Sequence, residues 1–247
     1  MSQQQPSAKL QHPSQQNSVL ALRERELLAS KRVFLARGAK LKRCPACLLA
    51  EAHCICAAKP KPQQGAAFCL LMYKGEAYKP SNTGRIIADV MADNHAFLWQ
   101  RTEADPALLA LLSDPAYAPI LIFPHQYIAP ERCIGSKADI DRVCGGKTPL
   151  FVLLDGTWRE AKKMLKSPYL QALPVLGIAP EQASDYRLRE AAHLHQLCTA
   201  EVAIEVLRLA TLPEASTALQ QYFRAFRAAY LKTKPHLDPD RHTASNC

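Results

Sequence analysis

Apolar positions along the chain fall into short blocks whose spacing alternates between strand-like and helix-like. Phe68–Tyr73, Ala96–Trp99, Ile120–Phe123, Leu150–Leu154 and Leu173–Ile178 are compact apolar runs that read as buried strands. Between and after them, Thr83–Met91, Pro106–Leu112, Trp158–Lys166, Thr199–Ala210 and Ala215–Leu231 read as helices with an apolar face. Strands alternating with helices predict an α/β domain: a mostly parallel sheet with helices on both faces. Ligands of such sheets sit beyond the carboxyl ends of the strands.

The pattern differs ahead of the first strand. Residues 1–18 are rich in Gln, Ser and Pro and are predicted to be disordered, because they bury too little to offset their ordering entropy. From Val19 to Leu35, leucines and valines recur between charged residues and predict an amphipathic basic helix, which Gly38 ends. Lys59-Pro60-Lys61-Pro62 has no helical option and reads as a stiff linker. The predicted organisation is a tail (1–18), a basic helix with a cysteine-rich module (19–62), a main domain (63–235) and a flexible tail (236–247).

Composition adds three constraints. A chain of 247 residues that is 48% hydrophobic can bury a real core. No apolar run approaches the roughly 20 residues of a membrane-spanning helix, and the polar N-terminus lacks the apolar centre of a secretory signal. The expectation is a cytoplasmic protein with no membrane association and no obligate protein partner. The net charge of +9 is concentrated: residues 1–43 carry nine basic and two acidic side chains, a net of +7. Such an arm suits a phosphate backbone, while a solvated lysine-rich tail is the plain alternative.

Four of the nine cysteines are packed into Cys44-Pro45-Ala46-Cys47 and Cys54-Ile55-Cys56. In a reducing compartment so dense a set points to a metal rather than to disulfides. Four thiolates from Cys44, Cys47, Cys54 and Cys56 would close a tetrahedral structural site, suited to Zn2+ and also to iron, with His53 as a substitute ligand. A redox dithiol or free thiols are the alternatives.

Three further segments carry candidate chemistry. Asp155-Gly156-Thr157-Trp158 follows a buried strand, so Asp155 is placed at its carboxyl end, and Trp158 beside Arg159 offers a base-stacking platform. The same residues also match a capping box, Thr157 to Glu160. Lys79-Pro80-Ser81-Asn82-Thr83-Gly84-Arg85 lies between strand and helix, and suits an anionic group or, equally, an ordinary cap. Tyr186-Arg187-Leu188-Arg189-Glu190 precedes Cys198-Thr199-Ala200-Glu201, where Thr199 could cap a helix and the arginines could be surface charges.

Taken in order, these segments resemble the DTW-domain family, whose Asp-x-Thr-Trp motif is matched by Asp155, Thr157 and Trp158. The resemblance runs from about Val19 to Leu231 and takes in the cysteine cluster, Lys79–Arg85, Asp155–Met164, Ser167–Leu170, Tyr186–Glu190 and Cys198–Ile204. It implies a SPOUT-like fold, a class in which chains are often knotted. The implied activity is transfer of the 3-amino-3-carboxypropyl group of S-adenosylmethionine to N3 of a variable-loop uridine, with tRNA as partner. By family position, Asp155 would orient or accept the N3 proton. Thr83, Gly84, Leu154, Leu176 and Thr199 would hold the co-substrate. Arg85, Trp158, Arg159, Arg187 and Arg189 would meet the flipped uridine, and Zn2+ would be structural. One departure is Leu197-Cys198-Thr199, where members of the family often carry Leu-Ser-Thr. An RNA methyltransferase and a non-catalytic zinc-containing RNA-binding protein are the competing readings.

Overall fold

The computed structural model describes residues 17–30, 41–178 and 197–233. Six parallel strands form one sheet in the order β2-β1-β5-β3-β6-β4: β1 Gln63–Met72, β2 Met91–Leu98, β3 Tyr117–Ile122, β4 Cys133–Ile134, β5 Thr148–Asp155 and β6 Val175–Leu176. The central strands are apolar almost without interruption, as expected of strands covered on both faces. Alternate residues serve opposite sides. Phe68, Leu70, Phe151 and Leu153 enter one core cluster, and Ala67, Cys69, Leu71, Leu150 and Val152 enter the other.

The helices are α1 Ser18–Ala29, α2 Gly84–Val90, α3 Pro106–Ser113, α4 Lys137–Cys144, α5 Trp158–Met164, α6 Thr199–Leu209 and α7 Pro213–Lys232. Leu108 and Leu111 of α3, with Ala161 and Met164 of α5, cover one face; α1, α2, α4, α6 and α7 cover the other. The two-sided α/β architecture read from the sequence is therefore present. Local chemistry sets the helix ends. Asn17 accepts from the Val19 and Leu20 amides to start α1. Asp105 followed by Pro106 starts α3, and Ser136 with Asp139 caps α4.

Several elements differ from expectation. The first helix ends at Ala29 rather than near Leu35, and it holds two arginines and two glutamates, so it is charge-balanced rather than basic. Residues 31–40, including the predicted Gly38 stop, lie outside the described residues. Strand β2 starts at Met91, directly after α2, rather than at Ala96. It is an edge strand whose Asp93, Asn94 and His95 are half-buried, so polar residues masked its first half. Helix α4 and strand β4 were not predicted, since α4 buries only Ile140 and Cys144 and β4 has two residues.

The N-terminal parts join the main core. Val19 and Leu22 of α1 and Cys47, Leu49 and Ile55 of the cysteine-rich segment belong to the same apolar cluster as Phe68 and Phe151. A buried carboxylate, Asp89 on α2, ties them down. Its Oδ1 accepts from Asn17 (2.9 Å) and pairs with Lys59 (3.1 Å). Its Oδ2 accepts from Arg85 (3.1 Å) and Tyr222 (3.4 Å). Burial among these groups, with the Asp89 charge next in effect, pushes the Tyr222 hydroxyl well above its usual range. Replacing Asp89 by Ala leaves the Arg85 charge uncompensated in the core. The expected loss is about 3–5 kcal/mol in urea unfolding, against less than about 1 kcal/mol for exposed Asp141→Ala; equal effects would count against the clamp.

Candidate active site at the β1–β5 crevice

Strands β1 and β5 are neighbours, with Met72 opposite Asp155, yet the chain leaves them towards opposite faces. After β1 it runs to α2, and after β5 to α5, which lie on different sides of the sheet. Such a divergence at the carboxyl ends of two adjacent strands marks the crevice where open parallel sheets usually bind their ligands. Asp155 ends β5 at its mouth and is 4% exposed.

The polar half of the crevice is built around Asp155. Its Oδ2 accepts from the Asn82 side-chain amide (2.7 Å) and its Oδ1 from the Thr199 hydroxyl (2.9 Å). Asn82 also accepts from the Arg85 amide (3.1 Å), so it both starts α2 and steers the carboxylate. Thr83 makes no side-chain cap; its hydroxyl accepts from the Ala200 amide (3.3 Å), joining α2 to α6. Gly84 is required by proximity: a Cβ there would lie 2.7 Å from Asp155 Oδ2. Thr199 is likewise not a cap. That work is done at Cys198, whose amide donates to Glu201 (2.7 Å), while burial pushes the Cys198 thiol well above its usual range.

The other half is aromatic. Trp158 stacks on Phe123 with ring centroids 5.3 Å apart and planes at 7°, and Tyr127 meets Trp158 edge-on at 5.4 Å. The Lys162 ammonium lies 5.8 Å from the Tyr127 centroid and 5.9 Å from that of Trp158. A second stack, Tyr73 on Trp99 at 5.4 Å, ends β1 and β2, and the Trp99 indole donates to Ser167 (2.8 Å). Thr157 and Glu160 do form a capping box. The capping reading of this segment therefore holds, with Thr157 starting the helix, while Asp155 ends β5 and Trp158 packs on Phe123.

The structure thus brings together Asp155, Thr83, Gly84 and Thr199, with Trp158 beyond them on the opposite face. Leu154 is half-buried and, like Trp158, packs on the α3–α5 side of the sheet; Leu176 is fully buried on the other side. Arg159 is exposed on α5. Arg85 corrects the expectation of a uridine contact. It is 1% exposed, pairs with Asp89, and lies 5.5 Å from the Phe226 ring, inside the core. Arg187 and Arg189 lie outside the described residues, within 179–196. Asn82, Tyr73, Trp99, Phe123 and Tyr127 received no role from the sequence. Asn82 sat within a recognised segment, but its partner Asp155 is 73 positions away.

The four clustered cysteines converge as their spacing suggested. Sγ separations are 3.6 Å for Cys44–Cys56 and 3.7 Å for Cys47–Cys54, and all four sulfurs lie within 4.8 Å of one another. A tetrahedral zinc with ~2.3 Å bonds needs sulfurs about 3.8 Å apart, so the donor set is compatible with a zinc site without His53. The Cys47 amide holds the Cys44 thiol down to about 7, whereas burial raises the Cys47 and Cys56 thiols. A cation would deprotonate all four.

Two outcomes check this geometry. Stripping the metal with a chelator is expected to release one ion per chain, read colorimetrically. It should cost at least about 3 kcal/mol, a fall of roughly 6–12 °C in thermal midpoint, because Leu49 and Ile55 share the main core. Gly84→Ala should displace the Asp155 carboxylate and lose about 1–3 kcal/mol in denaturant; an unchanged midpoint would refute the close contact.

No helix among the described residues is long and apolar enough to cross a membrane. No solved structure matches the chain. A family model described as the DTW domain matches residues 41–231, which take in the four cysteines, the Asn82–Gly84 turn, Asp155, Trp158 and Thr199. The chain belongs to the DTW domain family.

Proposed function

We propose that this protein is a tRNA-modifying transferase that moves the 3-amino-3-carboxypropyl group of S-adenosylmethionine onto N3 of a variable-loop uridine. Family membership is consistent with a tRNA-modifying transferase. The observation that carries the finer reading is the division of the crevice: an anchored carboxylate on one side and stacked aromatic rings on the other. S-adenosylmethionine bears an ammonium and a sulfonium, for which Asp155 is a counter-charge, and an adenine, for which flat apolar walls are complementary. Asp155, with Thr83, Gly84, Thr199 and Leu154 around it, would hold it. The SPOUT-like, knotted path belongs to the same proposal; the segment 179–196 that precedes α6 lies outside the described residues. Zn2+ held by Cys44, Cys47, Cys54 and Cys56 is structural in this reading, since four thiolates leave no open position.

The co-substrate supplies the electrophilic γ-carbon on its sulfonium. Uridine N3 loses its proton and forms the new N–C bond, while the C–S bond breaks and methylthioadenosine leaves; the charge of the sulfonium departs as the released proton. The protein's part is placement. Trp158, stacked on Phe123, offers a flat surface for a base drawn out of its stack. Asp155, with an acceptor bond on each oxygen, is held in one orientation, where it aligns the uridine imide or takes up its proton. The cytoplasm is the compartment that fits free thiols and this substrate.

Mass spectrometry of unmodified tRNA incubated with protein and S-adenosylmethionine is the deciding measurement. An aminocarboxypropyl gain on one uridine, with methylthioadenosine released, is expected. A methyl gain with S-adenosylhomocysteine would give the methyltransferase reading, and no gain with tRNA still bound a non-catalytic RNA-binding protein. Asp155→Asn should lower transfer at least 100-fold while changing tRNA affinity less than threefold; a large loss of affinity would sink the assigned role.

A further inference from the structure

Beside the crevice, on the α5 face, lies a groove of about 410 Å³ whose lining includes Tyr127, Ile128, Arg132, Lys162, Lys166 and Gln171. Three cations line it and no acidic residue does. Lys162 and Lys166 are one helical turn apart and so project from the same side of the chain around α5. Arg132 is a fixed charge: its Nε donates to the Leu173 carbonyl (2.9 Å) and an Nη to that of Leu170 (2.7 Å). Tyr127 is 42% exposed, an unusual state for a large ring, and it is held edge-on against Trp158 with Lys162 above it. The groove therefore continues the aromatic wall of the crevice, adding cations to it. Tyr127 and Lys162 are shared with the aromatic half of the crevice, whereas Arg132, Lys166 and Gln171 belong to the groove alone.

We infer that this groove binds one nucleotide of the single-stranded RNA next to the modified base, with its base on Tyr127 and its phosphate between Lys162 and Lys166. Alternating rings and ammonium groups are the pairing that a single strand requires: stacking on the ring face and charge neutralisation along the backbone. An acidic peptide would use the cations and leave the exposed ring without a role. The volume is that of a small-molecule-sized pocket and so accommodates a single nucleotide. Through the Tyr127–Trp158 contact, the base drawn into the crevice and the base on Tyr127 occupy neighbouring surfaces. The inference rests on the RNA part of the proposed function, and it concerns binding rather than transfer.

The test uses the full chain and a fluorescent single-stranded oligonucleotide of the variable-loop sequence, titrated at several salt concentrations beside the intact tRNA. Lys162→Ala and Lys166→Ala should each weaken binding about 3–10-fold and lower the slope of log affinity against log salt by about 0.7, the value for one phosphate of a single strand. Tyr127→Ala should weaken binding about 5–100-fold with the salt slope unchanged, and Tyr127→Trp should restore it. Thermal midpoints of all variants report whether they fold, and Lys137→Ala on exposed α4 serves as the charge control. Unchanged affinity and slope in all three groove variants overturns the groove while transfer to tRNA stands. Loss of affinity with the stated slopes in a protein that transfers nothing supports the groove and refutes the reaction. A wild-type protein that binds neither RNA overturns the groove as well.

Discussion

Everything at the crevice depends on keeping one carboxylate buried and oriented. Asp155 is almost without solvent at the end of a strand whose centre is fully buried, and an unpaired carboxylate there would cost several kcal/mol. Its partners come from distant points of the chain: Asn82, 73 residues earlier, and Thr199, 44 residues later. They reach it only because β1 and β5 are adjacent in the sheet while α6 crosses over the start of α2, where the Thr83 hydroxyl meets the Ala200 amide. Gly84 completes the arrangement by leaving room for the carboxylate. The strand order, the helix packing and a single missing Cβ thus serve one local requirement.

A second buried carboxylate organises the far side of α2. Asp89 takes donors from α1's cap, the segment before β1, α2 itself and α7. Seven-residue α2 is therefore pinned at both ends, by Asn82 at its start and Asp89 near its finish. This explains why the cysteine-rich segment and α1 share the main core even though a proline-rich stretch separates them from the sheet in sequence. A metal at the four cysteines would, through Lys59 and Tyr222, steady the same helix that positions Asn82.

The sheet's central strands were legible because covered parallel strands are apolar at every position, as in Leu150–Leu154. The edge strand was half-legible, because Asp93 and His95 look like loop residues until Asn94 is seen accepting from the Ser18 amide. Helix α4 was missed for a related reason: its polar face dominates, and the Ser136–Asp139 capping box is a short signal. The segments that carry the resemblance bring Asp155, Gly84 and Thr199 together in space, and the four cysteines converged as their spacing suggested. Motif spacing could not locate function within a motif. Arg85 stands three positions after Asn82, but Asn82 lies ahead of α2 and turns to Asp155, whereas Arg85 is inside the helix and turns to Asp89 and the Phe226 ring. Phe123 and Tyr127 carried no motif, because their role arises only when the end of β3 meets α5 in space.

The two walls of the crevice differ in how they are held, and the difference fits the work proposed for each. The polar wall is cross-braced by side-chain hydrogen bonds between separate helices, which fix atoms to within a narrow range but tolerate no change of partner. The aromatic wall is held by stacked rings and by packing of α5 on the sheet, interactions that allow a ring to slide or tilt at modest cost. A group transfer needs its reacting atoms fixed, whereas a strand that must open to present one base needs a surface that accepts several stacking geometries. Placing them on opposite faces of one sheet lets the first stay rigid while the second adapts. The shortest covalent link between them is the turn Asp155-Gly156-Thr157-Trp158, whose length is fixed by the capping box that starts α5. A change in that turn would shift both walls together, which gives the Asp-x-Thr-Trp spacing a mechanical reason as well as a chemical one.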